Sequence, residues 1–330
     1  MRPPKFWEEG APVPFWALAL RPVGAVYAAA TARRLRRPGV AAKIPVICVG
    51  NIHAGGTGKT PTAIAVVQRL AARGVAAQVV TRGHGGRLTG PVAVDLRRHT
   101  AAEVGDEPLL LAAFAPVWVA RDRAAGVRAA TAAGAEAVVL DDGFQNPSVV
   151  KDLSLVVVDA ARRFGNGRVL PAGPLRESPA AGLARADIVV GIGDAAAQAG
   201  LGQTLADLGH DGLPRLSGHL APVRMGIDWG GQRVFAFAGI GHPEKFFATL
   251  AAEGAEIVGR EALDDHQPIG PALFRRLEAQ AQALGAQMVT TEKDAVRLPA
   301  DLRPRVLILT VRLEIDDWAP FDAAVARLGL

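Results

Sequence analysis

Gly50-Asn51-Ile52-His53-Ala54-Gly55-Gly56-Thr57-Gly58-Lys59-Thr60 is the stretch around which the rest of this chain is read. An apolar run, Ile44 to Val49, precedes it and predicts a buried strand, and a helical pattern from Pro61 to Arg73 follows. That order puts the unpaired first-turn N–H groups of a helix, and its positive dipole end, at the mouth of a glycine-rich turn. Gly55, Gly56 and Gly58 let the backbone approach an anion closely and aim its amides at it. In such a phosphate-cradling loop His53, Ala54, Gly55, Gly56, Thr57, Gly58, Lys59 and Thr60 surround a nucleotide's phosphates. Lys59 reaches the β- and γ-phosphates, and the Thr60 hydroxyl ligates Mg²⁺. Pro61 is tolerated because a first-turn N–H needs no helical partner, and Gly74 stands where a C-cap belongs.

The strict pattern G-x-x-x-x-G-K-S/T asks for glycine where this chain has His53. The Gly-Gly-x-Gly-Lys-Thr form is shared with dimerising ATPase switches, whose additional signature lysine falls at Ala54 and is absent. The expected ligand is a nucleoside triphosphate, and the expected fold is P-loop NTPase-like. An ATPase switch with no small-molecule acceptor is the alternative from a different class; the missing lysine and the acidic pair Asp106-Glu107 weigh against it.

The chain has 330 residues, enough for two domains, and half of them are apolar. A formal charge of +5 with a pI of about 9.9 suits an anionic partner, but no recognition motif accompanies it, so nucleic acid is not expected; nor is a protein partner. The single cysteine, Cys48, lies in the apolar run before the loop, where it excludes an intrachain disulfide and reads as a small buried residue of a reducing compartment.

Residues 13–32 are apolar, but Glu8 and Glu9 argue against a secretory signal, and Arg21-Pro22 interrupts a membrane span. Phe6, Trp7, Phe15, Trp16 and Tyr27, followed by Arg33, Arg34, Arg36 and Arg37, suit a helix lying on an anionic membrane surface. A helix packed on the domain with a solvated basic end is the other reading, and both stay open.

Short apolar runs alternate with helical stretches, which predicts α/β layers around a mainly parallel sheet with helices on both faces, plus a second, smaller α/β domain. Strands are expected at 44–50, 76–81, 92–95, 116–120, 137–141, 153–159 and 187–192, and helices at 61–73, 107–113, 122–133 and 178–185. Proline and glycine then thicken. The expected organisation is an N-terminal amphipathic segment 1–36, a P-loop domain 37–213, a linker 214–232 that reads as a possible β-ribbon, and a smaller domain 233–330 closing a cleft. Within the last, strands are expected near 233–239, 255–258, 286–291 and 305–313, with helices near 243–253, 271–284 and 318–328.

Ala-Val-Val-Leu-Asp-Asp-Gly-Phe-Gln at 137–145 places Asp141 and Asp142 at the carboxyl end of a strand, where an acid holding Mg²⁺ beside the P-loop must lie; Gln145 would orient a substrate or phosphate. Either acid can serve. In Val-Gly-Asp-Glu-Pro, Asp106 is either a helix cap or a general base, and Glu107 would then sit near the metal. Arg82, Arg123 and Arg176 occur at loops or helix starts and suit bidentate phosphate contact, although a surface arginine is the default reading. His266, following Asp264-Asp265, is by itself an ordinary loop histidine. Lys293-Asp294 fails the guanine-reading spacing Asn-Lys-x-Asp.

Together these strings resemble the tetraacyldisaccharide 4′-kinase family of lipid A biosynthesis. The likeness covers most of the chain. It runs through 49–61, Thr-Arg-Gly-x-Gly at 81–85, 104–108, 140–145, Pro-Ala-Gly-Pro-Leu-Arg-Glu at 171–177, Phe-Ala-Gly-Ile-Gly-x-Pro-Glu-Lys-Phe-Phe at 237–247, Asp-His at 265–266 and 289–298. The resemblance implies a peripheral enzyme on the cytoplasmic face of the bacterial inner membrane. It would move the γ-phosphate of ATP, with Mg²⁺, to the 4′-hydroxyl of an acylated glucosamine disaccharide monophosphate, the lipid A disaccharide precursor. It also implies Asp106 as catalytic base, with His266 from the second domain as its partner. Asn146 stands where the family commonly has His, and His242 where it often has a small polar residue.

Overall fold

The computed structural model describes residues 4–330, so the first three residues of the expected segment 1–36 lie outside it. In chain order the elements are α1 (Phe15–Leu18), α2 (Arg21–Leu35), β1 (Val46–Gly50), α3 (Lys59–Ala72), β2 (Ala77–Thr81), β3 (Val92–Ala93), α4 (Ala101–Val104), α5 (Asp106–Leu111) and β4 (Val117–Val119). There follow α6 (Arg123–Ala132), β5 (Ala137–Asp141), β6 (Leu153–Asp159), α7 (Pro179–Leu183), β7 (Ile188–Ile192), α8 (Ala195–Asp207) and β8 (Arg215–Pro222). The remainder comprises β9 (Arg233–Ala238), α9 (Pro243–Ala252), β10 (Glu256–Ala262), α10 (Pro271–Ala283), β11 (Gln287–Thr291), α11 (Glu292–Ala295), β12 (Leu307–Leu309), β13 (Val311–Ile315) and α12 (Ala319–Arg327).

Nine strands form one sheet in the order β13-β8-β7-β6-β1-β5-β2-β4-β3, parallel except where β3 and β13 close its edges antiparallel. Every residue of β1, β2, β5, β6 and β7 is buried, as expected of parallel strands covered by helices on both faces. Alternate side chains serve alternate cores. Ile47, Val49, Val139 and Leu155 pack with Ile64, Val67 and Leu70 of α3, while Cys48, Val138, Leu140 and Val156 pack with Val127 of α6, Leu183 of α7 and Leu201 and Leu205 of α8. β1 lies between β5 and β6, and its register with β5 sets Val49 against Asp141, so the glycine-rich loop and the acidic pair emerge side by side.

A second sheet, β10-β9-β11-β12, is parallel throughout. Phe246, Phe247 and Leu250 of α9 cover one face; Phe274 and Leu277 of α10 cover the other.

Three expectations are corrected. The segment 214–232, read as a linker, supplies β8, which pairs in parallel with β7 inside the large sheet. The strand read at 305–313 is two: β12 ends in the small sheet at Leu309, and β13 starts in the large one at Val311, antiparallel to β8. No glycine or proline stands between Leu307 and Ile315, so no turn residue signals the change of sheet at Thr310. The ribbon therefore exists, but it joins β8 to β13. Likewise α12, expected in the smaller unit, docks on α3, with Phe321, Ala324 and Val325 buried in the large core and Arg69 bonded to Asp322. The helix α8 was not expected. Its alanines and glycines carry no periodic signal, and it is set by the Asp194 N-cap, which accepts the Ala197 amide at 2.8 Å.

Candidate active site

The loop after β1 turns through left-handed glycines, Gly55 (φ 140°) and Gly58 (φ 93°), and delivers Lys59 as the first residue of α3. Gly58 has a second constraint, since a Cβ there would lie 2.5 Å from Ile192 Cδ1. Asn51 braces the loop from inside, donating to Gly55 O at 3.2 Å and Thr57 Oγ1 at 2.9 Å. On its flank runs the 168–176 segment: the Ala54 amide donates to Pro174 O (2.7 Å), and the Arg176 amide to Ile52 O (2.7 Å). Gly55 and Gly56 remain exposed. His53 is buried (8 % exposed), and burial, then the neighbouring Arg162 charge, pulls its pKa down to about 4, so it is a neutral wall of the loop.

Asp141 ends β5 and Asp142 follows it, and the structure separates them. Asp142 sits at φ 51°, a strained conformation for a residue with a Cβ, and turns its carboxylate to Arg176 (2.9 Å) and Lys59 (3.8 Å). Burial opposes its charge, but Lys59 and Arg176 outweigh that and hold its pKa below the usual carboxylate value. Asp141 is 1 % exposed; Thr81 Oγ1 lies 3.2 Å from Oδ2, and Oδ1 is buried with no protein partner. Burial first, then the charges of Glu107 and Asp142, push its pKa up to about 7. A buried carboxylate oxygen without a donor, beside a second carboxylate and a helix-start threonine, fits a hard divalent cation. Among the described residues no three His, Cys, Asp or Glu form a ready-made cage. That is the usual situation for Mg²⁺, which keeps waters and takes oxygens from a phosphate substrate.

Asp106 is placed by Gly105, the true N-cap of α5, at φ 94°; a Cβ there would lie 2.5 Å from His84 O. Asp106 is thus the first helical residue, not the cap, and its two oxygens face different partners. Oδ1 accepts the Glu107 amide at 3.0 Å, while Oδ2 faces His266 Nδ1 at 3.0 Å and Arg297 Nε at 3.5 Å. Residues 160 positions apart therefore meet, one from each sheet's loops. His266 is also left-handed (φ 58°), and its amide is tied to Gly239 O. Lys293 Nζ lies 3.1 Å from His266 Nε2 and 3.5 Å from Glu107 Oε1. An ammonium can only donate, so Nε2 is the acceptor and Nδ1–H donates to Asp106. Burial raises the Asp106 pKa, but the His266 hydrogen bond and the charges of Lys293, of His266 where protonated, and of Arg297 bring it down to about 2.

The other expected residues divide. Gln145 lies at the site with all its polar atoms engaged: its amide donates to Asn51 O (2.7 Å) and Glu177 (2.9 Å), and its oxygen accepts from Arg176 (3.2 Å). Arg123 is buried beneath the acidic pair and donates to Ala120 O at 2.7 Å, so the default of a surface arginine is corrected. Arg82 is exposed at the carboxyl end of β2. Asn146 accepts from the Ser148 amide (2.8 Å) and hydroxyl (2.6 Å), making a turn. Sequence reasoning gave no role to Asn51, Lys293 or Arg297. Asn51 stood within the quoted loop motif and Lys293 within the quoted 289–298 string, but only the fold aims them.

The fold and this site define a P-loop nucleotide-binding α/β protein whose second sheet contributes side chains to the site. The sequence model of the tetraacyldisaccharide-1-P 4′-kinases matches residues 16–329. A tetraacyldisaccharide 4′-kinase of Dinoroseobacter shibae is 63 % identical over 330 residues, covering 99 % of this chain and 98 % of that protein; one of Rhodospirillum rubrum is 52 % identical over 331 residues, covering 100 % and 98 %. The chain belongs to the tetraacyldisaccharide 4′-kinase family. Its fold matches the crystal structure of the "apo" form of LpxK from Aquifex aeolicus in complex with ATP, at a TM-score of 0.74 and 23 % identity over 95 % of this chain and 99 % of that one.

Proposed function

We propose that this protein transfers the γ-phosphate of ATP to the 4′-hydroxyl of a tetraacylated glucosamine disaccharide monophosphate, in lipid A biosynthesis. Family membership supports the reaction, and the observation that carries the mechanism is the Asp106–His266 contact made beside the P-loop by loops from different sheets. The loop amides and Lys59 hold the triphosphate; Asp142 and Arg176 fix the approach of Lys59. Asp141, with Thr60 and Glu107, would hold Mg²⁺, which when bound neutralises phosphate charge. Asp106 Oδ2 accepts the hydroxyl proton as the sugar oxygen bonds to the γ-phosphorus and the bond to the β-phosphate oxygen breaks, releasing ADP. A carboxylate with a pKa near 2 is ionised at every physiological pH, and a loose phosphoryl-transfer transition state asks for the proton late. His266, held by Lys293, orients that carboxylate.

A lipid substrate leaves a bilayer at about 0.8 kcal/mol per CH₂, so the enzyme must reach it at the membrane. The N-terminal segment supports this. Residues Phe15–Leu35 are long and apolar enough to cross a bilayer by length and composition, and only 17 % of their most apolar window is buried. The segment is also anchored to the protein: Asn166 donates to Phe6 O at 2.9 Å and Glu9 pairs with Arg163 at 2.6 Å. We read it as a surface-lying helix on the cytoplasmic face of the inner membrane, with Phe15, Trp16, Val23 and Val26 exposed and arginines 33, 34, 36 and 37 set for anionic headgroups.

The test is transfer of label from ATP to the disaccharide monophosphate in detergent micelles. Asp106→Asn and His266→Ala are expected to lower turnover, the former by roughly 10²-fold or more, with nucleotide binding retained. Loss of nucleotide binding in Asp106→Asn would reassign that carboxylate to the metal.

A further inference from the structure

The two sheets also meet on the other side of the phosphate loop. At the carboxyl end of β6, Asp159 is buried (6 % exposed) and its Oδ2 accepts from Lys245 Nζ of α9 at 2.5 Å. Three residues on, Arg162 bonds the ring Nε2 of His242, the residue preceding α9. Burial, then the Arg162 and Lys245 charges, lowers the His242 pKa, so the ring is neutral and accepts from the guanidinium. Neither pair belongs to the chemistry above.

These contacts bear on one loop, Gly239–His242. It leads into α9 at one end, and at the other Gly239 O receives the His266 amide (3.2 Å) and Arg297 Nη2 (2.8 Å). In its middle, a Cβ on Gly241 would lie 3.7 Å from Asp265 Oδ2 and 4.0 Å from the Gly56 amide nitrogen, so the loop passes close over the exposed glycines of the phosphate loop. A run of direct contacts thus leads from Asp159 and Arg162 of the large unit, through Lys245, His242 and Gly239, to the backbone of His266. His266, at φ 58°, keeps its ring on Asp106 only while that backbone is held.

We propose that Lys245, with Asp159, is a positioning pair for the kinase reaction. By clamping the Gly239–His242 loop against the phosphate loop, it sets the His266–Asp106 contact on the opposite side. This rests on the dyad reading given under Proposed function. Lys245 does its work without touching the sugar hydroxyl, and its loss is felt as a misplaced dyad rather than as lost nucleotide.

Lys245→Met tests it: the Lys245 side chain is 59 % exposed, so the substitution empties no core, and Lys245→Met/Asp159→Asn, which leaves no buried carboxylate without its cation, should give the same kinetics. The expected result is a kcat reduced about tenfold with KM for ATP within about twofold, as befits a contact acting on the transition state rather than on nucleotide affinity. Lys245→Arg restores kcat. Amide hydrogen exchange over Gly239–His242 quickens in Lys245→Met, and adding Lys245→Met to His266→Ala costs nothing further. A raised KM for ATP at unchanged kcat, or unchanged exchange in the loop, overturns the clamp. Normal turnover in His266→Ala alone overturns the dyad instead, and the exchange measurement separates that failure from this one.

Discussion

Lys59 and His53 stand at the two ends of the phosphate loop and do opposite work. Lys59 must be charged and reach outward; Asp142, 3.8 Å away, orients it without neutralising it by direct contact. Lys59→Ala is expected to lower phosphoryl transfer on the order of 10²-fold or more, read in the labelled-ATP assay, because no other loop side chain carries a positive charge to the γ-phosphate. His53 must be neutral. Its folded pKa of about 4 lies below the unfolded 6.5, so between those values the unfolded chain binds a proton that the folded one refuses. Stability is therefore full above pH 6.5 and falls as pH drops toward 4, by at most about 3 kcal/mol. In His53→Gln, melting temperatures measured from pH 7 to pH 4 should show a shallower decline than in the parent; parallel curves would mean that His53 is protonated in the folded state.

Among the elements, α12 best shows how a terminal helix is recruited. It follows β13, the strand that returns the chain from the small sheet to the large one, and Phe321 is fully buried against α3 and the large sheet. Phe321→Ala should destabilise the protein by about 3–5 kcal/mol, the cost of a buried aromatic and its cavity. The loss should appear in the unfolding transition of the nucleotide-binding unit, seen as a lower midpoint that bound ATP partly restores. A loss confined to the four-stranded unit would contradict this packing. The short α5 depends on another local device: Gly105 at φ 94° aims Asp106 across to the other sheet, and a residue with a Cβ there would also strike His84 O.

Across the whole molecule, the chain crosses between its two sheets twice, between Pro222 and Arg233 and again at Thr310, and the crossings are bonded to each other where the Val223 amide meets Thr310 O at 2.9 Å. Two adjacent strands joining two units, with the Asp106–His266 contact made between loops of the two sheets, suit closure about that ribbon. In the proposed membrane role, the N-terminal helices would face the lipid. Phe15 is 87 % exposed and Trp16 59 %. Replacing both with serine should shift the protein from the pelleted to the soluble fraction with anionic vesicles while activity on micellar substrate stays within about threefold, since roughly 2 kcal/mol of burial per side chain is lost only at the bilayer. Equal pelleting of the two proteins would remove the membrane role of these side chains.

The phosphate loop, its flanking strand and helix, and the acid pair after β5 were legible without a structure because each is a local device: glycines that free backbone angles, a helix start, a carboxylate at a strand end. The alternating apolar runs gave the parallel sheet for the same reason. Local pattern could not show where the chain changes sheets, because no glycine or proline breaks the strand-like stretch from Leu307 through Ile315 while its hydrogen-bonding partners change at Thr310. Nor could it show α8, whose alanines are silent in periodicity. The separation of Asp141 from Asp142, the passage of Lys293 between His266 and Glu107, and the meeting of Asp159 with Lys245 depend on burial and on distances between remote segments. Those quantities come into being when the chain packs, and they are what turn a recognisable nucleotide loop into a defined site.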